Sequence, residues 1–272
     1  MQHRARGTRA PHVDAPAVGR PDGGTRSRGF DLARNGARVS QKNVLKPHKH
    51  EQCVIPPEQN GAFVAAMEDV LDVYQKPYEP QCPVVCFDER PCHLIADVKE
   101  RVPGSPGRLA RYDDLYTRLG SLNLFGMLEP NTGRVHFEVT ERHTKMDVAR
   151  SMKQLVDELY PRAVTIRVVL DNLATHTKGA LYEAFSPEEA HRLARKLEFH
   201  FTPKHGSWLN AIELEFAALT KQALDHRIPD RKELERVVGV YESLRNEHAC
   251  AIQWTFNAES ARTKLSRLYP LT

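Results

Sequence analysis

The sequence predicts an α/β protein in which a mixed sheet is flanked by helices, and three observations lead there. Residues 83–88 (PVVCFD) and 165–171 (TIRVVLD) are short, β-branched and almost uninterrupted apolar runs, the composition of buried strands. Two further runs, LNLFGML and RVHFEVT, flank EPNTG and read as a hairpin. Between and after these runs lie stretches with apolar residues at helical spacing, several of them opened by a capping residue.

Each element has its own local reason. Residues 58–75 place Phe63, Met67, Val70, Leu71 and Tyr74 on one helical face. Residues 76–83 (KPYEPQCP) form a linker, since three prolines forbid a continuing helix. The first strand follows and is expected to close at Asp88. In the hairpin, Val135, Phe137 and Val139 alternate with polar neighbours. Thr144 caps a helix whose face is Val148, Met152, Leu155, Val156 and Leu159. After the strand ending at Asp171, Ser186–Pro187–Glu188–Glu189 reads as a capping box with proline at the first helical position, opening a helix through Leu197. FHFT is a short strand. The next helix carries an apolar stripe of Leu209, Ile212, Phe216, Leu219 and Ala223, and Asp230 to Glu233 caps a last one bearing Leu234, Val237, Val238, Tyr241 and Leu244. Strand, strand, strand, helix, strand, helix, strand, helix is the order of a mixed sheet covered by helices.

Composition narrows the classes of function. With 272 residues and 40% hydrophobic content the chain can bury a proper core. No apolar stretch approaches the ~18 residues of a membrane span, and the arginine-rich start lacks the apolar block of a secretion signal. Five cysteines, an odd number without a framework pattern, suit a reducing cytoplasm. Cys82, Cys86, Cys92 and His93 lack the spacing of a zinc knuckle. The net charge of +4 is unevenly spread: residues 1–50 hold 11 Lys or Arg against 3 Asp or Glu, and the remainder 28 against 32. A basic start attracts phosphates without regard to sequence. Contacts of the body with a polyanion must then come from local patches, such as Arg108, Arg111 and Arg118, or Lys204 and His205. Residues 1–40 have almost no large apolar side chains and are expected to lack packed structure.

Three acids carry the chemistry. Asp88 and Asp171 close the two buried runs, and Glu213 sits near the start of NAIELEFAALTKQAL. Neighbouring strands lie about 4.8 Å apart, so carboxylates at two strand ends are near neighbours. A pair about 5 Å apart repels by roughly 3 kcal/mol at an effective dielectric near 20. Such a cluster calls for protons or hard divalent cations with oxygen ligands, the chemistry of two-metal phosphodiester cleavage. Alternation along a strand says only that one of Asp88 and Glu89 faces the site. Glu213 and Glu215 lie about 200° apart on a helix, so only one of them does; Glu213 borders the apolar stripe beside Ile212 and Phe216, and Glu215 falls further from its centre.

The strings VVCFDE, VVLDNLATH and FTPKHGSWLNAIELEF, in this order, resemble the DDE transposases of bacterial insertion sequences in the mariner superfamily, the insertion-sequence 630 family, over roughly residues 41–269. The resemblance implies a ribonuclease H-like fold in which the first and fourth strands are central neighbours. It selects Asp88, Asp171 and Glu213, the last standing three residues after Asn210, as ligands of two Mg²⁺ (or Mn²⁺) ions. It implies cleavage of transposon ends, then attack of the freed 3′-hydroxyl on target DNA at a TA dinucleotide, by a homodimer on DNA with no membrane association. Asn172 and His176 match the family's DN...H string, where the histidine would orient a phosphate or the attacking water. Lys204, His205, Trp208 and Asn210 occupy the loop beside Glu213, where Lys204 would meet phosphate and Trp208 would stack on a base or plug the loop. The organisation expected is a disordered basic segment at 1–40, a helical remnant and linker at 41–80, and the catalytic domain at 81–272. The helix-turn-helix region that relatives carry ahead of this domain is expected to be absent or replaced, so selective end binding would need one supplied. Two other readings stay open: a truncated, inactive remnant that binds DNA or a sister transposase, and a structure-selective nuclease on the same fold.

Overall fold

The computed structural model describes residues 59–99, 107 and 115–270. The expectation for residues 1–40, and the patch residues Arg108 and Arg111, lie outside them. Helix α1 (Gly61–Gln75) is capped by Asn60, whose side chain accepts from Phe63 N, and is followed by the proline linker. Five strands then appear: β1 (Val84–Asp97), β2 (Tyr116–Glu129), β3 (Arg134–Thr140), β4 (Ile166–Leu170) and β5 (Leu197–Phe201). They form one sheet in the order β3-β2-β1-β4-β5. The first three are antiparallel, whereas β1, β4 and β5 run parallel. The first and fourth strands are thus central neighbours, and the fold is the expected ribonuclease H-like mixed sheet.

Helices cover both faces because the central strands are apolar on both. Val84 and Cys86 point into one layer with α1, α5 (Ile212–Gln222) and α6 (Arg231–Glu247), where Met67, Leu71, Ile212 and Phe216 are buried. Val85 and Phe87 point into the other, against α2 (Lys145–Gln154), α3 (Gly179–Ala184) and α4 (Pro187–Lys196), with Met152, Leu181 and Leu193. Each such side chain contributes roughly 1.5–3 kcal/mol on burial. The last helix, α7 (Ala258–Lys264), closes the first layer through Ala261. Among the described residues no helix is long and apolar enough to cross a membrane.

The caps follow the sequence with one change. Thr144 and Asp147 complete a capping box. Ser186 accepts from Glu189 N, but the Glu189 carboxylate turns to Lys153 and Arg192 rather than back to the cap. The helix it opens ends at Lys196, and Leu197 already belongs to β5. Helix α3 was not expected. Gly133 ends the hairpin turn with φ +74°, packed so tightly on the Cys250 backbone that a Cβ would lie 2.0 Å from its carbonyl oxygen.

The open edge of β3 is covered by α6. Asn246 accepts from Val135 N and donates to Val135 O, both at 2.8 Å, and Glu242 accepts from Phe137 N at 2.9 Å. Glu242 also meets His136 Nδ1 at 3.0 Å, and this bond raises the imidazole above its usual value while burial opposes it. A raised histidine contributes stability that is fully present below the unfolded value of about 6.5 and fades as pH rises through the folded one. The stability gap between the native chain and Glu242→Gln in urea melts is therefore expected to be wide at about pH 5.5 and to narrow by about pH 8.5.

Candidate active site

β4 pairs with β1 only over Val84–Cys86, with Cys86 opposite Val169. Continued two residues further, that register sets Asp88 opposite Asp171, at the fork where β4 ends and β1 goes on beside β2 alone. The expectation that the first strand closes at Asp88 is corrected here: β1 runs to Asp97, and Asp88 is its fifth residue. Pro91 is tolerated in this extension because β1 has only one neighbour there. Asp88 shares the face of Cys86 and Arg90, toward α5. Glu89 shares that of Phe87, toward α2 and α3.

The start of α5 is fastened to β1 by side chains. The amide of Asn210, 1% exposed, donates to Phe87 O at 2.9 Å and to Asp88 Oδ2 at 3.3 Å. Tyr74 OH donates to Leu209 O at 2.8 Å and accepts from Ala211 N at 3.3 Å. Arg90 reaches Phe216 O at 3.1 Å and the Thr220 hydroxyl. Gly126, opposite Asp88 on β2, lets α5 approach this closely, for a Cβ there would lie 2.8 Å from the Phe216 ring. Gly126→Val is expected to cost about 1–3 kcal/mol in urea unfolding, because Phe216 and Ile212 must give way.

Glu213 and Glu215 exchange the places expected from the apolar stripe. Glu215 is the buried one, 4% exposed and bonded to Tyr241 OH and Arg245. Glu213, in the first turn of α5, is exposed. The reason is a partner the stripe does not reveal, since α6 brings Arg245 over the core side of Glu215.

The acids sense one another. Asp88, 7% exposed, is pushed up to about 7 by burial first, then by the charges of Asp171 and Glu213, against a hydrogen bond from Glu89 N. Glu213 is raised by partial burial and by Asp171, with Arg90 opposing. Among the described residues, however, no three His, Cys, Asp or Glu groups converge tightly enough to hold a metal ion. Each strand acid has taken another partner: Asp88 the Asn210 amide, Asp171 the ring of His176. The donor set itself, all carboxylate oxygens raising one another's affinity for positive charge, fits a hard divalent cation.

The remaining expected residues divide into two groups. Lys204 and His205 are exposed, with His205 in the left-handed region (φ 65°) of the loop, and Asn172 is exposed beside Asp171. Trp208 is half-buried, its ring 5.9 Å from that of Phe256. His176 is fully buried, with its Nδ1 2.6 Å from Asp171 Oδ1. Arg90 was missed, and Glu89 was weighed only as the alternative to Asp88. Their one signal was adjacency to Asp88 on a strand that alternates.

The model of the DDE superfamily endonucleases matches residues 83–235, more than half of the chain. No curated protein matches the sequence. Among solved structures the chain is similar to the Mos1 mariner paired-end complex with Mn, at 12% identity and a TM-score of 0.48, covering 79% of this chain and 65% of that one. It is similar also to the Mos1 strand transfer complex, at 12% identity and 0.48, covering 87% and 66%. The chain thus spans just under two thirds of the length of these Mos1 chains.

Proposed function

The chain belongs to the DDE superfamily endonucleases, and we propose that it is the catalytic domain of an insertion-sequence DNA transposase of the mariner superfamily's insertion-sequence 630 family, with residues 81–272 as its working body. The observation that carries this reading is the parallel pairing of β1 with β4, whose register, continued past Cys86 and Val169, sets Asp88 opposite Asp171, with Glu213 near enough to help push Asp88 up.

Asp88, Asp171 and Glu213 would hold two Mg²⁺ or Mn²⁺ ions, which when bound supply a Lewis acid that activates water and neutralises phosphate charge. The protein's own part is to position groups. Asn210 fixes Asp88, and Lys204 and His205 offer cationic and polar groups to DNA phosphates beside Glu213. Asn172, exposed next to Asp171, is placed to meet the same strand. The products of end cleavage would be 3′-hydroxyls that attack target DNA at TA, and two copies of the chain would bring two ends together in the cytoplasm.

The test is a nicking assay on a supercoiled plasmid carrying the inverted repeats that border the chain's own gene. Nicks are expected with Mg²⁺ or Mn²⁺ and none with EDTA; with a helix-turn-helix segment supplied ahead of the chain they are expected at the repeat ends, with duplicated TA at sequenced insertion junctions. Absence of nicking with either metal would overturn the reading.

A further inference from the structure

One buried acid of this region has no role in the reaction so far. Glu89 lies on the face of β1 opposite to Asp88, and its side chain is 7% exposed. Its Oε2 stands 2.9 Å from His176 Nε2. On the other side of the ring, His176 Nδ1 is 2.6 Å from Asp171 Oδ1. The imidazole is 0% exposed and lies edge-on to Phe87, ring centroids 5.5 Å apart at 71°. Glu89 Oε2 and His176 Nε2 meet only as an ion pair, since neither atom makes a hydrogen bond. The imidazole is thus held between two carboxylates, one on β1 and one just past the end of β4. Asp171 Oδ1 also accepts from Leu173 N at 3.1 Å, whereas no described residue donates to Oδ2.

We propose that Glu89 and His176 are a positioning pair for Asp171, which commits Oδ1 to the protein interior and leaves Oδ2 as the oxygen offered to a divalent cation. The inference rests on reading Asp171 as a metal ligand. Glu89 sets the ring, and the ring sets the carboxylate. Partners of this kind behind a ligand typically change metal affinity by about 10- to 100-fold when removed. A role in positioning Asp171 predicts weaker cation binding when the ring is removed, whereas a purely packing role predicts lower stability with cation binding unchanged.

The experiment titrates the full-length chain with Mn²⁺ alone by calorimetry, and records melting temperatures in EDTA. His176→Ala is expected to weaken Mn²⁺ binding about tenfold or more. His176→Asn keeps a donor in the place of Nδ1, and is expected to restore binding to within about threefold of the native chain. Glu89→Gln is expected to weaken it several-fold, and to add little in combination with His176→Ala, because both act along one chain of contacts. Should His176→Ala fail to fold, Glu89→Gln and His176→Asn carry the same comparison. Lowered melting temperatures with Mn²⁺ affinity unchanged, or tighter binding in His176→Ala, would overturn the positioning role alone. A native chain that binds no Mn²⁺ would overturn the metal reading and this inference together.

Discussion

Asp88→Ala, Asp171→Ala and Glu213→Ala are each expected to abolish Mg²⁺- or Mn²⁺-dependent nicking. Several kcal/mol of charge stabilisation at the reacting phosphate depends on the set, so the loss is about a thousandfold or more for each. The fold is expected to survive, because Glu213 is exposed, Asn210 keeps Phe87 O without Asp88, and His176 keeps Glu89 without Asp171. Asp88 even opposes folding in the cation-free protein, since burial and the charges of Asp171 and Glu213 push it up to about 7. Asp88→Asn, which keeps the shape and relieves that repulsion, is expected to melt at or above the native temperature in EDTA. The measurement pairs a nicking assay on end-bearing plasmid with melting curves taken with and without metal. If Glu213→Ala kept its activity while folded Glu215→Ala lost it, the third acid would be misassigned.

What could be read from the sequence was what neighbours in the chain decide. The buried runs that lead to Asp88 and Asp171, the hairpin about Gly133 and the caps at Thr144, Ser186 and Asp230 all depend on residues within a few positions of each other, and all are present. The misreadings have a common cause in partners far along the chain. β1 continues past Asp88 because β2 accompanies it to Tyr116, and its mixed, proline-bearing second half carries no strand signal of its own. Glu189 leaves its cap for Lys153, 36 residues away. His176, expected to meet a phosphate or water, is an interior residue with Glu89 of β1 2.9 Å from its Nε2. In each case the local rule gave a possible state, and a partner from another element, a neighbouring strand for β1 and a charged side chain for Glu189 and His176, selected a different one.

Glu215 is the sharpest case, and Glu215→Ala is expected to be costly in a way that its distance from the chemistry does not suggest. Its Oε1 accepts from Tyr241 OH at 2.7 Å and Arg245 Nε at 3.0 Å, joining α5 to α6 within the first core layer. The pair is largely out of water: the side chains of Glu215 and Arg245 are 5% and 14% exposed. Removing one member of such a pair leaves the other as an uncompensated charge and typically costs about 3–5 kcal/mol. Here the stranded groups would be the Arg245 guanidinium, whose Nη1 already lacks a partner, and the Tyr241 hydroxyl. Burial and the Glu215 charge both hold that phenol well above its usual range, so it stays a neutral donor with nothing to donate to. Urea melts should therefore place Glu215→Ala about 3–5 kcal/mol below the native chain, and Glu215→Gln between the two, since the amide keeps an acceptor for Tyr241. Adding Arg245→Met to Glu215→Ala should recover part of the loss by removing the stranded charge, which makes the two substitutions non-additive. At a temperature where the variant is still folded, its metal-dependent nicking should stay close to native, because Glu215 points into the layer between helices and Glu213 out of it. A loss of stability below about 1 kcal/mol, or strict additivity with Arg245→Met, would mean that the pair does not join α5 to α6 as its geometry indicates.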